Sequence, residues 1–420
     1  MGAFSIFSNA KKRNKTDANA LPSAAQYYQT LSNRVGYVKY VVLFLLIMFV
    51  LFGFTFFSDH LTVENFRYML KFMSIDMDAV ISEGDSFVID TGENVRSLIM
   101  NGDLAITDTN GVQVFDMSGT RFLKENRYLD DPLCVTNGTN LFVCEYGGTT
   151  LDIYSVYMKV STEKFAYPIY GIAASKSGNY CVNTASAGYR SAIKTYDSHF
   201  RVIHDYFFAD KYILAVGISD DGKYSSACTL TNNESGEFLC GLFVWDVTVS
   251  EPVYTFDYVG EIPWRIDFRS DGSFVLLTNK AFRIYSADGE MQKEVSLTSL
   301  ELKGYAISDE TIVVSSRSAG LSNATKLYFY SSDGEMTGSF DFESDISDIK
   351  IAGKYAYIYS IGSFCAIDTE KSSLVFSDDV GSDYISCVYD GENSRMILIR
   401  KGEVVFYDVK NDNNNGGKRK

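Results

Sequence analysis

At 420 residues the chain is long enough for one large domain or two ordinary ones, so core size sets no limit. A formal net charge of −15, with a pI near 4.7, repels phosphate backbones and argues against nucleic acid as a partner. The 15% aromatic content, almost all Tyr and Phe, favours strands, and 32 Gly against 5 Pro predicts turns built on positive φ rather than rigid linkers.

The charge is unevenly placed. Before residue 40 the basic residues Lys11, Lys12, Arg13, Lys15, Arg34 and Lys39 face Asp17 alone. Residues 1–36 have little apolar periodicity and read as a flexible, basic segment. Residues 37–57, YVKYVVLFLLIMFVLFGFTFF, carry no charge from Tyr40 to Phe57. That run meets the requirement of about 20 apolar residues for a spanning helix, with Tyr37 and Tyr40 suited to the interface. The next residues, Ser58, Asp59 and His60, offer no small-x-small cleavage site, so an uncleaved signal anchor is expected. The basic flank predicts a cytoplasmic N-terminus, a span embedded in the lipid bilayer and an extracytoplasmic remainder. Residues 58–75 bring Phe66, Met69, Leu70 and Met73 to helical spacing and predict a juxtamembrane stalk helix.

Beyond about residue 95 helical periodicity disappears, and short β-rich runs alternate with Gly, Asp and Asn. An aromatic or aliphatic residue followed by Asp or Ser recurs at Phe115, Tyr154, Tyr196, Trp245, Tyr285, Tyr330, Ile367 and Tyr407, at intervals of 37 to 49 residues. A polar turn precedes each landmark, as at Gly102, Gly138, Gly178, Gly222, Gly272, Asp309, Gly353 and Gly391. Two registers sharing one period near 40 residues predict an all-β fold, a β-propeller with four strands per blade. In one unit, strands are expected at Trp264–Phe268, Phe274–Thr278, Ala281–Tyr285 and Met291–Leu297. Eight landmarks give eight blades, or seven if the weak second unit is miscounted. The last unit, from Tyr384 to Val409, holds three strands, and SFVID (Ser86 to Asp90) is placed to supply its outer one. Residues 76–410 are then the propeller and 411–420 a disordered polar tail.

These features resemble the WD40/quinoprotein-like propeller superfamily. More closely, the chain is similar to a family of single-pass membrane proteins from Gram-positive bacteria with a basic N-terminus, a signal anchor, a Glu-Asn stalk and a propeller. The resemblance implies an address and a fold, not a reaction. Only Trp245-Asp246 matches the tryptophan-aspartate signature of WD40 repeats.

Catalytic chemistry finds little support in the residues. The three His are His60 beside the membrane, and His199 and His204, which flank the last strand of the third unit; no Gly-x-Ser-x-Gly elbow exists. There is no Walker loop, HExxH or His cluster, so no metal or cofactor is expected. Quinoprotein enzymes, as the resemblance implies, place a docking Trp in most blades, and this chain has only Trp245 and Trp264. The repeated sequences SADGEM and SSDGEM supply one Asp and one Glu each, too few ligands for calcium, and read as hairpin turns. Cys134 with Cys144, and Cys228 with Cys240, are symmetric about turns centred on Thr139 and Glu234, which makes each pair a candidate disulfide beside the alternative of buried free thiols. For ligand binding, Tyr170, Trp264, Arg265, Tyr305 and Tyr384 fall at or near inner-strand starts and are candidate channel-rim residues, set against a packing role. The expected function is a non-catalytic interaction, scaffold or sensing module at the cell surface, its partner a protein, peptide or glycan. The alternative is an extracytoplasmic hydrolase or quinoprotein-like enzyme with its site in the channel.

Overall fold

Runs such as FVLLT and AFRIY, β-branched and aromatic between Gly-bearing turns, form the strands expected of them, Phe274–Thr278 and Ala281–Tyr285. A computed structural model of the chain describes residues 38–49, 86–317, 324–360, 362–381, 384–391 and 394–408. Within them, 32 strands make eight four-stranded antiparallel sheets, which settles the blade count at eight. We label the strands of each blade A to D from the innermost outward. Blades 1 to 7 span residues 96–126, 132–164, 171–208, 212–259, 263–296, 302–342 and 346–381, each a simple meander.

Blade 8 draws on both ends of the fold. Tyr384–Asp390, Arg395–Arg400 and Glu403–Asp408 form its strands A to C, and Ser86–Val88 pairs antiparallel with the last of these as strand D. The expected closure holds, with Ile89 N–H donating to Gly402 O to extend the pairing. Phe87 rivets it by packing on Phe115 of blade 1 and Phe406 of blade 8, with ring centroids 5.5 and 6.0 Å away. Eight apolar clusters lie one between each pair of successive blades, the last joining blade 8 to blade 1. The core is therefore a ring of interfaces with no open edge among the described residues.

The sequence landmarks acquire a structural cause. Each landmark residue lies at the end of strand C, and in blades 1 to 7 the Asp or Ser after it opens the C–D turn. Asp116 Oδ1 accepts from Ser118 and Thr120 N–H, Asp197 Oδ1 from His199 and Arg201 N–H, and Asp368 Oδ1 from Glu370 and Lys371 N–H. In SADGEM and SSDGEM the same place is filled by Ser286 and Ser331, whose hydroxyls accept from Glu290 and Glu335 N–H at 3.1 and 3.2 Å. Gly289 and Gly334 both adopt φ of +76°, the left-handed conformation that a glycine takes at least cost. The two loops are one turn built twice.

The A–B turns at the same end of the ring are tied between blades. Asn101 N–H donates to Gly138 O, Ser175 Oγ–H and Ser177 N–H both donate to Asp220 O, and Ser270 bonds Asp309 through N–H and Oγ–H. We call this end the bottom; the B–C and D–A connections form the top. Near the top, strand A carries a one-residue bulge in blades 4 to 8, at Leu214, Trp264, Lys303, Ser347 and Ile385, whereas the inner strands of blades 1 to 3 keep an unbroken register.

The N-terminal part is a separate unit, Met1–Phe66, against Arg67–Lys420. Residues 38–49 are helical, with every side chain exposed. Among the described residues no helix is long and apolar enough to cross a membrane. The rest of the expected 37–57 span, the basic segment 1–36, the stalk 58–75 and the tail 411–420 lie outside the described residues.

Candidate functional site

The top connections of blades 2 to 4 carry a concentration of exposed tyrosines. Tyr128 follows the last strand of blade 1, Tyr146 occupies the B–C turn of blade 2, Tyr167 and Tyr170 lie between blades 2 and 3, Tyr189 begins strand C of blade 3, and Tyr212 begins strand A of blade 4. Tyr128 is 74% exposed, and Tyr146 and Tyr212 are each 54% exposed. Phe238, at the B–C turn of blade 4, extends the belt, and among the described residues no aromatic side chain beyond it is exposed.

Local contacts hold the belt in place without covering it. The Tyr146 ring meets Tyr170 edge-on at 5.7 Å, joining blade 2 to the loop before blade 3. Arg190 donates to Tyr212 Oη at 3.2 Å and lies 5.1 Å from the ring centroid, which joins blades 3 and 4. Tyr189 packs on Phe207 at 5.1 Å. Tyr128 Oη–H donates to Asp130, and that carboxylate raises the phenol's pKa. These rings have apolar faces, hydroxyls and few rotatable bonds, the properties that make tyrosine effective at interfaces.

The sequence-derived rim residues separate. Tyr170 belongs to the belt. Trp264 sits on the blade 5 bulge, half-buried, with its ring 6.3 Å from Tyr305 across to blade 6. Arg265 is exposed and pairs with Asp267 at 2.8 Å; that carboxylate holds the guanidinium's pKa above its ordinary value. Burial raises the Tyr305 phenol pKa. Tyr384 is only 7% exposed, packed against Tyr359, whose hydroxyl donates to Tyr384 O at 2.7 Å. No spacing rule separates these from the belt, because the bulges have no sequence mark; Tyr146, Tyr189 and Tyr212 are not among the expected rim residues, and their one sequence sign is an aromatic beside a turn.

The cysteines do not pair. All seven are free thiols. Cys134 lies opposite Val143 and Cys144 opposite Leu133, so one residue of register puts the two sulfurs on opposite faces of the sheet. Cys228 lies opposite Leu242 and Cys240 opposite Leu230, which places that pair on one face but diagonal. The first hairpin is centred between Gly138 and Thr139 rather than on Thr139, and the second on Ser235 rather than on Glu234. Burial pushes the Cys134 thiol up to about 11 and Cys144 up to about 12, so both are protonated at neutral pH.

Neither described histidine is arranged for nucleophilic catalysis. His199 sits in the exposed C–D turn of blade 3, 3.4 Å from Ser198 Oγ, while Asp197 is committed to backbone amides and Arg201. His204 lies within strand D rather than beside it, buried against Trp245 at 5.8 Å, with no hydrogen bond to either ring nitrogen; burial lowers its pKa. Among the described residues there is no cluster of three or more His, Cys, Asp or Glu that could hold a metal ion.

Two buried ion networks occupy the same place in different blades with opposite sign. In blade 5, Arg283 at the centre of strand C makes two bonds to Glu261, at 2.7 and 2.8 Å, and a third to Glu294. In blade 2 the equivalent residue is Asp152, bonded to Arg127 and to Thr162. Burial raises the Glu261 carboxyl's pKa, but Arg283 and Thr278 outweigh that and hold it below the usual value. Each network ties a top connection to the blade that follows it, a structural use of charge.

Comparison with known proteins gives the fold and a family. Residues 81–407 match the family described as "Family of unknown function (DUF5711)". No curated protein sequence matches the chain. Among solved structures, Sqt1 of Saccharomyces cerevisiae aligns with a TM-score of 0.59 at 10% identity, over 79% of this chain and all (100%) of that one. The Dos1 propeller aligns with a TM-score of 0.57 at 12% identity, over 79% and 96%. BamB of Moraxella catarrhalis aligns with a TM-score of 0.52 at 11% identity, over 78% and 100%. At such identities these likenesses show a propeller of the WD40 and BamB kind and no more.

Proposed function

The chain belongs to the DUF5711 family, and from that premise we propose that it is a non-catalytic interaction module whose docking surface is the top of blades 2 to 4. The observation that carries this reading is the tyrosine belt. An acidic, well-closed propeller exposes six tyrosines in one part of one face, where their ties between blades are the Tyr146–Tyr170 edge contact and the Arg190–Tyr212 contact. Large amphipathic rings held on rigid β-connections are the side chains that anchor protein partners at little entropic cost. The partner we favour is a protein or an extended peptide, a use common among propellers of this kind.

The address belongs to the same proposal. The apolar run 37–57 and its basic flank support a single-pass anchor with the propeller outside the cytoplasm, as in the Gram-positive proteins the sequence resembles. Added protease should then remove the propeller from intact cells and spare an N-terminal fragment. The docking reading is tested by capturing the full chain from cross-linked cells, wild type beside a Tyr146→Ala, Tyr189→Ala, Tyr212→Ala triple variant. The variant should fold and lose the proteins that co-purify. Equal recovery by both chains would refute it, and binding to sugars alone would replace the protein partner with a glycan.

A further inference from the structure

A second feature lies inside the ring, independent of the tyrosine belt. Strand A of blades 1, 2, 7 and 8 lines a cavity of about 460 Å³ that is open to solvent, bordered by Arg96, Ser97, Asp348, Lys350, Tyr384 and Ser386 among others. Its polar groups are held in position. Ser97 and Ser386 share a hydrogen bond of 2.8 Å across the joint between blades 1 and 8. Asp348 accepts from Lys350 at 3.1 Å, from its neighbour's Ile349 N–H at 2.8 Å and from the Cys387 thiol at 3.4 Å.

Arg96 is the exception. The other described arginines bond a carboxylate, a carbonyl, an amide or a phenol, as Arg127, Arg269, Arg121 and Arg190 do. The Arg96 side chain, exposed at the start of strand A and standing in the cavity wall, makes no hydrogen bond or ion pair among the described residues. A guanidinium presents a planar fork that matches a carboxylate. The charge count is specific: Arg96 and Lys350 against Asp348 leave one positive charge, which a monoanion balances. Burial keeps the Cys134 and Cys387 thiols protonated, so they do not alter that count.

We propose that this cavity binds a small molecule or peptide end through a single carboxylate, held by Arg96 with Lys350 and the serine hydroxyls beside it. A phosphate dianion fits less well, since it would leave an unbalanced negative charge close to Asp348. The volume suits a compact body, such as a short peptide's C-terminus or a sugar acid.

The test titrates the purified full chain in detergent, by calorimetry, with N-acetyl-alanyl-alanine, its C-terminal amide, glucuronate and inorganic phosphate. One of the two acids should bind with a Kd below about 1 mM, and the amide and phosphate at least about tenfold more weakly. The acid that binds tells a peptide end from a sugar acid. Arg96→Leu should weaken binding about tenfold or more, with Arg96→Lys recovering part. Asp348→Asn should tighten it, a gain that misfolding cannot imitate. Failure of both acids to bind up to about 10 mM overturns the proposal. So does an amide or phosphate that binds as well as the acid, indifference to Arg96→Leu in a folded protein, or no gain from Asp348→Asn. None of these outcomes bears on the tyrosine belt, whose variants leave the cavity untouched.

Discussion

The two halves of the top face use the same kind of residue for opposite purposes. Over blades 2 to 4, Tyr146 meets Tyr170 edge-on, Tyr189 leans on Phe207 and Tyr212 lies under Arg190, and all four tyrosines remain exposed. Over blades 5 to 8, the aromatic and charged residues near the strand starts are engaged within the fold: Trp264 on Tyr305, Tyr384 beneath Tyr359, Glu261 clasped by Arg283. Inner-strand bulges run through all of blades 5 to 8 and are missing from blades 1 to 3, with blade 4, bulged at Leu214, at the boundary. An aromatic beside a turn therefore does not mark a site by itself. What distinguishes a binding surface is that the fold makes no use of the exposed face.

The comparison can be broken by mutation. The largest effect is expected at Glu261→Gln, which leaves the buried Arg283 with only Glu294 as an anionic partner; chemical denaturation should show a loss of about 3 kcal/mol. A loss within ~0.5 kcal/mol would mean that the blade 5 network is not structural. Beneath the exposed half, His204 is held neutral by burial, so its pKa in the folded chain lies below that of the unfolded chain. The sign follows from proton uptake: below about pH 6.5 the unfolded chain binds a proton that the folded chain refuses, so stability falls with falling pH, by at most about 1.4 kcal/mol per unit. Melting curves of His204→Phe should lack that component, whereas an unchanged acid slope would place its cause elsewhere.

At the bottom rim, Asp309→Ala removes two bonds from Ser270 and should cost about 0.5–1 kcal/mol, reflecting the exposure of that tie. The smallest effect is expected from alanine at Tyr146, Tyr189 or Tyr212, within about 0.5 kcal/mol each by thermal unfolding. A loss above ~1.5 kcal/mol at any of them would assign that ring to the fold and remove it from the surface.

The architecture was legible because one pattern recurs with two landmarks per blade, and each landmark has a local cause. The Asp or Ser after the aromatic caps a turn, and Gly289 or Gly334 supplies positive φ, so both show in the sequence without tertiary information. Even the exchange of Ser86–Val88 into blade 8 could be inferred, because the last unit is one strand short. The site was less legible for reasons of register. A bulge at Trp264 or Ile385 adds one residue with no compositional sign, and it decides which side chain meets the channel. The same blindness affected the cysteines, where one residue of pairing separates Cys134 from Cys144. Arg96 drew no notice because its distinction is the lack of a partner, which only three-dimensional neighbours reveal.

The central claim is most directly tested by a photo-cross-linking amino acid placed singly at Tyr146, Tyr189 and Tyr212, and for comparison at the exposed Met291 and Met336 below the ring. After irradiation of living cells, the three top positions should give one shared cross-linked product of defined mass, and the two methionine positions should not give it. The same product from all five positions, or from the methionines alone, would contradict a docking surface on blades 2 to 4.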